Sequence, residues 1–158
     1  LGRFTVHTDA STAFEIDGVE YEGAAGLATL AGKTILGATL SLTTSAHGVG
    51  SYKDPWYLAA SASAWSGTAV TWINYGDLTY TPSISIQNAP TSAGQVFNLD
   101  QTTTVRNWLS GAYANNGFAM ALQQEQLRHC GCVSLDHFEF HSSEDAGGRG
   151  PKLIVTYR

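Results

Sequence analysis

A period of two constrains this chain more than any other feature. In Thr34-Ile35-Leu36-Gly37-Ala38-Thr39-Leu40-Ser41-Leu42, the apolar Leu36, Ala38, Leu40 and Leu42 alternate with Gly37, Thr39 and Ser41. Successive side chains of a strand point to opposite faces, so this segment reads as a strand with one buried face. The alternation returns at Phe4 and Val6, at Val70 and Trp72, at Ile84 and Ile86, and at Phe118, Met120 and Leu122. It returns again from Val133 to His141 and at Leu153, Val155 and Tyr157. Phe14 and Ile16, then Asp17-Gly18, then Val19 and Tyr21 read as a hairpin with a two-residue turn. Residues 43–57 and 73–82, with Gly48, Gly50, Pro55, Gly76, Asp77 and Pro82, read as loops, and 58–65 is ambiguous.

One segment breaks the period. Val105, Trp108 and Leu109 recur at i, i+3 and i+4, Asp100 to Thr103 offer capping oxygens, and Gly111 stands just past the end. That spacing predicts a short helix. Many short strands with one helical turn predict an all-β chain: a single antiparallel β-sandwich of jelly-roll type over residues 1–158, with 1–30 as opening strands or an N-terminal arm.

Composition excludes several classes. Apolar residues reach 43% and charged residues only 13%, which rules out disorder. The net charge of -5 is a poor match for nucleic acid, which demands phosphate neutralisation. No stretch approaches twenty consecutive apolar residues, so no membrane insertion is expected. Ser and Thr supply 31 residues and Lys only three, a hydroxyl-rich surface common in secreted β-proteins. The chain opens at Leu1 with neither Met nor a signal-like segment, as a processed or excised piece would. Secretion or cell-surface attachment is the expectation. Cys130 and Cys132 flank Gly131, and a bridge across one residue is strained; free thiols, an intermolecular pair and metal ligands stay open.

The order of several short motifs resembles a known family. Ala38-Thr39-Leu40-Ser41-Leu42, Trp65-Ser66-Gly67 with Val70-Thr71-Trp72, and Phe97-Asn98-Leu99-Asp100 through Trp108 to Asn115-Asn116-Gly117-Phe118 come in sequence. Phe140-His141-Ser142-Ser143-Glu144 and Pro151-Lys152-Leu153-Ile154-Val155-Thr156-Tyr157 close the series. Together they resemble the DNRLRE domain, an extracellular bacterial and archaeal β-sandwich module, across residues 34–158. The resemblance implies the sandwich fold and a kinship with carbohydrate-binding modules for acidic polysaccharides such as alginate. It does not extend to the first thirty residues or to 125–132.

Sugar recognition needs flat rings for C–H faces and polar groups for hydroxyls. Tyr52, Trp56 and Tyr57 form one candidate loop cluster, Tyr75, Asp77 and Tyr80 a second, and Tyr113 with Asn115 and Asn116 a third. Trp65, Trp72 and Trp108 sit inside periodic segments and are expected in the core. His137, Glu139 and His141 share one strand face opposite Phe138 and Phe140, a spacing able to hold zinc or copper, although a solvated polar face is the commoner outcome. A structural calcium among scattered acids, which include Asp100, Glu144 and Asp145, has no specific ligand set. Nucleophile-elbow, zincin, P-loop and C-x-x-C motifs are absent.

The sequence therefore predicts a non-catalytic module that grips a polysaccharide through loop aromatics and polar side chains. The alternative is a structural or adhesive surface domain, self-associating through the N-terminal arm or through Cys130 and Cys132. A polysaccharide-degrading enzyme is the third reading.

Overall fold

The computed structural model describes residues 4–6, 13–16, 19–22, 27–48, 55–61, 64, 80–122, 137–142 and 145–158. Its strands are β1 (Phe4–Val6), β2 (Ala13–Ile16), β3 (Val19–Glu22), β4 (Ile35–Gly48), β5 (Trp56–Ser61), β6 (Tyr80–Gln87) and β7 (Val96–Asp100). After helix α1 (Thr102–Leu109) come β8 (Phe118–Leu122), β9 (His137–Phe140) and β10 (Lys152–Tyr157). One sheet runs β1-β8-β5-β6; the other runs β3-β2-β10-β4-β7, with β9 also on β4. The pairings are antiparallel except β10 with β2, which is parallel.

The two sheets close on one apolar layer, the all-β sandwich expected from the alternation. Leu40, Leu42, Phe97, Leu99, Leu153 and Val155 supply one side, and Trp56, Leu58, Ala60, Phe118 and Met120 the other. Helix α1 seals an end by placing Val105 and Trp108 in that layer, where the Trp108 ring lies 5.1 Å from the Phe118 ring. Its Arg106 guanidinium donates to the Ile35 carbonyl from Nη2 at 2.6 Å and Nε at 3.1 Å, tying the helix to the start of β4. Asp100 Oδ1 accepts from the Thr102 amide at 2.9 Å and hydroxyl at 2.6 Å, holding the first turn. Gly111 ends the helix at φ +75°, a backbone that L side chains adopt at a cost.

β9 and β10 succeed each other along the same edge of β4. Thr44 directs its backbone N–H and C=O to Gln95 and Gly94, on the β7 side. The neighbouring Thr43 carbonyl accepts from His141 N–H, and alternate residues of a strand bond to opposite sides. β9 pairs with Thr44–Gly48 and β10 with Ile35–Ser41, so the two lie in line along one edge of β4.

Four expectations are corrected. Ile35 is buried and Leu36 is half exposed, because a bulge opposite Thr156 and Tyr157 shifts the phase at the start of β4. Trp56 and Tyr57 open strand β5 rather than lying in a loop, since Trp56 pairs with both Gln87 and Leu122. Tyr80 likewise starts β6; Pro82 is tolerated there because β6 is the outer strand of its sheet. The N-terminal strands are not a free arm: β1 pairs with β8, and β2 with β10, of the same chain. The predicted pairing of β2 with β3 is present, with Ile16 opposite Val19; Asp17 and Gly18 lie outside the described residues. Trp65, Val70, Trp72, Cys130, Cys132 and residues 133–136 lie outside the described residues.

Candidate functional site

Strand β5 separates two aromatic neighbours. Trp56 points into the sandwich with none of its surface exposed, and its indole Nε1 donates to the Asn88 carbonyl at 3.0 Å. Its ring packs 5.2 Å from both Phe97 and Phe140. Trp56 is therefore a core residue, not a sugar-stacking one: its hydrophobic surface and its one donor are both consumed internally. Tyr57, one residue on, takes the opposite face of the four-stranded sheet and is half-buried.

Register sets the neighbours of Tyr57. Tyr57 lies directly opposite Ile86 of β6 and Ala121 of β8. Ile86 is 55% exposed, and exposed Asn88 shares its side by alternation. Pro55 precedes on the Tyr57 side, half-buried. Further along, Ala59 faces Ala119 and both are covered. Pro55, Tyr57 and Ile86 thus share one side of the four-stranded sheet, exposed at Ile86 and Asn88 and covered at Ala59 and Ala119.

The α1–β8 connection carries another candidate pair. Tyr113 is 37% exposed, and its amide donates to the Asn107 carbonyl at 3.3 Å. Asn115 Oδ1 accepts from Gly117 N–H at 3.2 Å, so this side chain shapes the turn that launches β8. The Gly117 carbonyl takes the Ser61 amide, which puts this loop at the far end of β5 from Tyr57. Four residues of strand separate the two, about 14 Å. Tyr57 and Tyr113 thus do not share one cluster. Tyr52, Tyr75 and Asp77 lie outside the described residues.

Among the described residues between β9 and β10, the Asp145 carboxylate gathers the hydrogen bonds. Asp145 Oδ2 accepts from the amides of Gly147 at 3.0 Å and Arg149 at 3.1 Å, and from Arg149 Nε at 3.1 Å. Its Oδ1 accepts from Arg149 Nη2 and lies 3.0 Å from His141 Nδ1. Hydrogen bonding from the Arg149 side chain, then from its amide, holds the Asp145 carboxyl well below the usual carboxylate range. Of the predicted metal-ligand face, His141 turns toward Asp145 and Glu139 is exposed. Among the described residues no three His, Cys, Asp or Glu side chains converge as a metal site.

Against this geometry, comparison with known families gives one match. The profile of carbohydrate-binding module family 96 matches residues 26–157, most of the chain, from before β4 to the end of β10. This chain belongs to carbohydrate-binding module family 96. No curated protein matches it. The match supports the carbohydrate-binding kinship implied by the sequence motifs, without carrying the DNRLRE name. It begins at residue 26, so β1, β2 and β3 precede the matched region.

For a family 96 module, the candidate residues divide by position. Tyr57, Tyr113 and Asn115 reach the surface, whereas Trp56 does not. Sequence reasoning missed Ile86 and Asn88 as neighbours of Tyr57. The alternation of Ile84 and Ile86 was visible, but the register that sets Ile86 beside Tyr57 is long-range.

Proposed function

We propose that this family 96 module is a non-catalytic, extracellular unit that holds a polysaccharide chain with outward tyrosines and amide side chains. The family match across residues 26–157 carries the reading. The surface rings support it: Tyr113 is exposed near Asn115 and Tyr57 is half-buried on the side of Ile86 and Asn88, a mix of flat apolar and polar groups of the kind that pyranose rings require. Two described carboxylates also fit a binding role better than catalysis. Asp100 is held down first by the Thr102 hydroxyl, and Asp145 by Arg149, so neither suits a general acid, whose proton must be retained near neutral pH.

Electrophoresis through gels cast with single polysaccharides tests the reading. Retardation by at least one polysaccharide, with no new reducing ends after prolonged incubation, is the expected result. Unchanged mobility in every gel, or release of reducing ends, contradicts it.

A further inference from the structure

We propose that Asn116 is a self-modification site, attacked at its side-chain amide by the Gly117 nitrogen, and that Asn115 holds this reaction off while the chain is folded. The proposal is independent of what the module binds.

The sequence supplies the reactive pair. Asn116-Gly117 is the one Asn-Gly step in the chain. Attack by a backbone nitrogen on the amide of the preceding Asn is fastest before glycine, because no side chain shields that nitrogen or restricts its approach. The bond from Gly117 N to Asn116 Cγ forms and the Cγ–Nδ2 bond breaks. Ammonia leaves, carrying the proton that the Gly117 nitrogen gives up. Water then opens the cyclic imide at either carbonyl and leaves aspartate or isoaspartate at position 116. No oxidant or reductant takes part.

The structure turns the attacking nitrogen elsewhere. Gly117 N–H donates to Asn115 Oδ1 at 3.2 Å, and the Gly117 carbonyl accepts from the Ser61 amide at 2.9 Å. The peptide planes on both sides of Gly117 are thereby fixed, one by a side chain and one by the end of β5. Ring closure requires the 116–117 plane to turn its nitrogen toward Asn116 Cγ and to release the proton. Both steps need the bond to Asn115 broken first. Gly117 is buried at φ +76°, and the next residue, Phe118, is fully buried. Phe118 pairs with Ala60 of β5 and Val6 of β1, so a large turn of that plane lifts the start of β8 off its neighbours. Ala112, Tyr113 and Ala114 are exposed, which leaves the connection open to water and hydroxide once the bond to Asn115 opens.

The product changes the fold locally. Isoaspartate routes the main chain through its own side chain and inserts an extra methylene directly before β8, against the register of Phe118 with Ala60. Aspartate instead adds a negative charge to the connection that carries Tyr113 and Asn115.

Incubation of the whole chain at mildly alkaline pH tests this, read by peptide mass mapping at residue 116 and by enzymatic methylation of isoaspartate. Conversion in the folded parent should be at least about tenfold slower than in the same chain unfolded in guanidinium, because the folded reaction waits on local opening. Asn115→Ala should raise the folded rate about fivefold, the weight of one hydrogen bond. Asn115→Asp, which keeps an acceptor for the Gly117 N–H, should stay near the parent rate. Asn115→Ser, whose hydroxyl makes the same turn more weakly, should fall between them. Circular dichroism checks that each variant folds, and Asn115→Ser decides should Asn115→Ala unfold. A folded Asn115→Ala or Asn115→Ser that converts at the parent rate, or an Asn115→Asp that converts as fast as either, overturns the proposal. So does a folded parent that converts as fast as the unfolded chain.

Discussion

The indole of Trp56 and the ring of Phe97 meet edge to face, with centroids 5.2 Å apart and planes at 83°, across the two sheets of the sandwich. Phe140 closes the group from β9, at 5.2 Å from Trp56 and 6.1 Å from Phe97. Three strands distant in sequence therefore converge on one fully buried indole. Trp56→Ala should cost about 3–5 kcal/mol, the range for truncating a buried aromatic. Urea unfolding checks this: an unchanged midpoint would mean that Trp56 is not the centre of the core. Trp56→Phe should recover part of the loss, keeping ring contact but giving up the bond to Asn88.

Thr44 is a buried hydroxyl with a structural task. Its Oγ1 donates to the Ser92 carbonyl at 2.8 Å and accepts from the Gln95 amide at 2.9 Å. It thereby pins the turn before β7 to the middle of β4. Thr44→Val keeps the shape but takes the hydroxyl partner from both partly buried backbone groups. The expected cost is about 1–3 kcal/mol, read as a lower denaturant midpoint with an unchanged slope. A midpoint within error of the parent would contradict this role for the hydroxyl.

Asp145 makes acid stability predictable in sign. Its carboxyl titrates lower in the folded protein than its ordinary value of 3.8, because Arg149 and the backbone amides bond to the charged form. A depressed folded value contributes stability that is complete above the unfolded value and disappears as pH falls through the folded one. The gap in melting temperature between parent and Asp145→Asn should therefore be constant from neutral pH to about 4 and narrow below that. A gap that widens on acidification would reverse the assignment.

Gly111 and Gly37 form a matched pair. A Cβ at either position meets nothing within 4 Å, but only Gly111 has positive φ, +75°. Gly111→Ala should lose roughly 1–2 kcal/mol from backbone strain alone. Gly37→Ala, in the extended backbone of β4, should be neutral or slightly stabilising, by up to about 1 kcal/mol. Thermal melts of the two variants give the comparison; equal losses would show that the helix end does not depend on that conformation.

Local periodicity made much of this architecture legible. Val105, Trp108 and Gly111 mark out α1 because helix spacing and its stop signal are carried by neighbours in sequence. Ala38, Leu40 and Leu42, like Leu153 and Val155, fall on the buried face as their alternation requires. Leu36 does not, because it is the extra residue of a bulge in β4 that appears only in the pairing with Thr156 and Tyr157 of β10. Trp56 misled for a similar reason. Gly48, Gly50 and Pro55 read as loop punctuation, but Pro55 only precedes the strand, and pairing to β6 and β8 makes Trp56 and Tyr57 strand residues. The candidate site was half legible: an aromatic at Tyr57 is visible in the chain, but its pairing with Ile86 depends on strand register. The bonds from Asp145 to His141 and Arg149 are sequence-local, yet the sequence offers Asp145 only as one of several scattered acids for calcium, since donors are not recognisable before the backbone folds around them.

Amide chemical-shift mapping with an oligosaccharide of whichever glycan retards the protein tests the central claim most directly. A polysaccharide held by the outward tyrosines predicts that the largest changes cluster around Tyr57 or Tyr113, with β10 and β7 amides unmoved. Changes centred on the six-stranded sheet, or no retarding glycan to titrate, would contradict it.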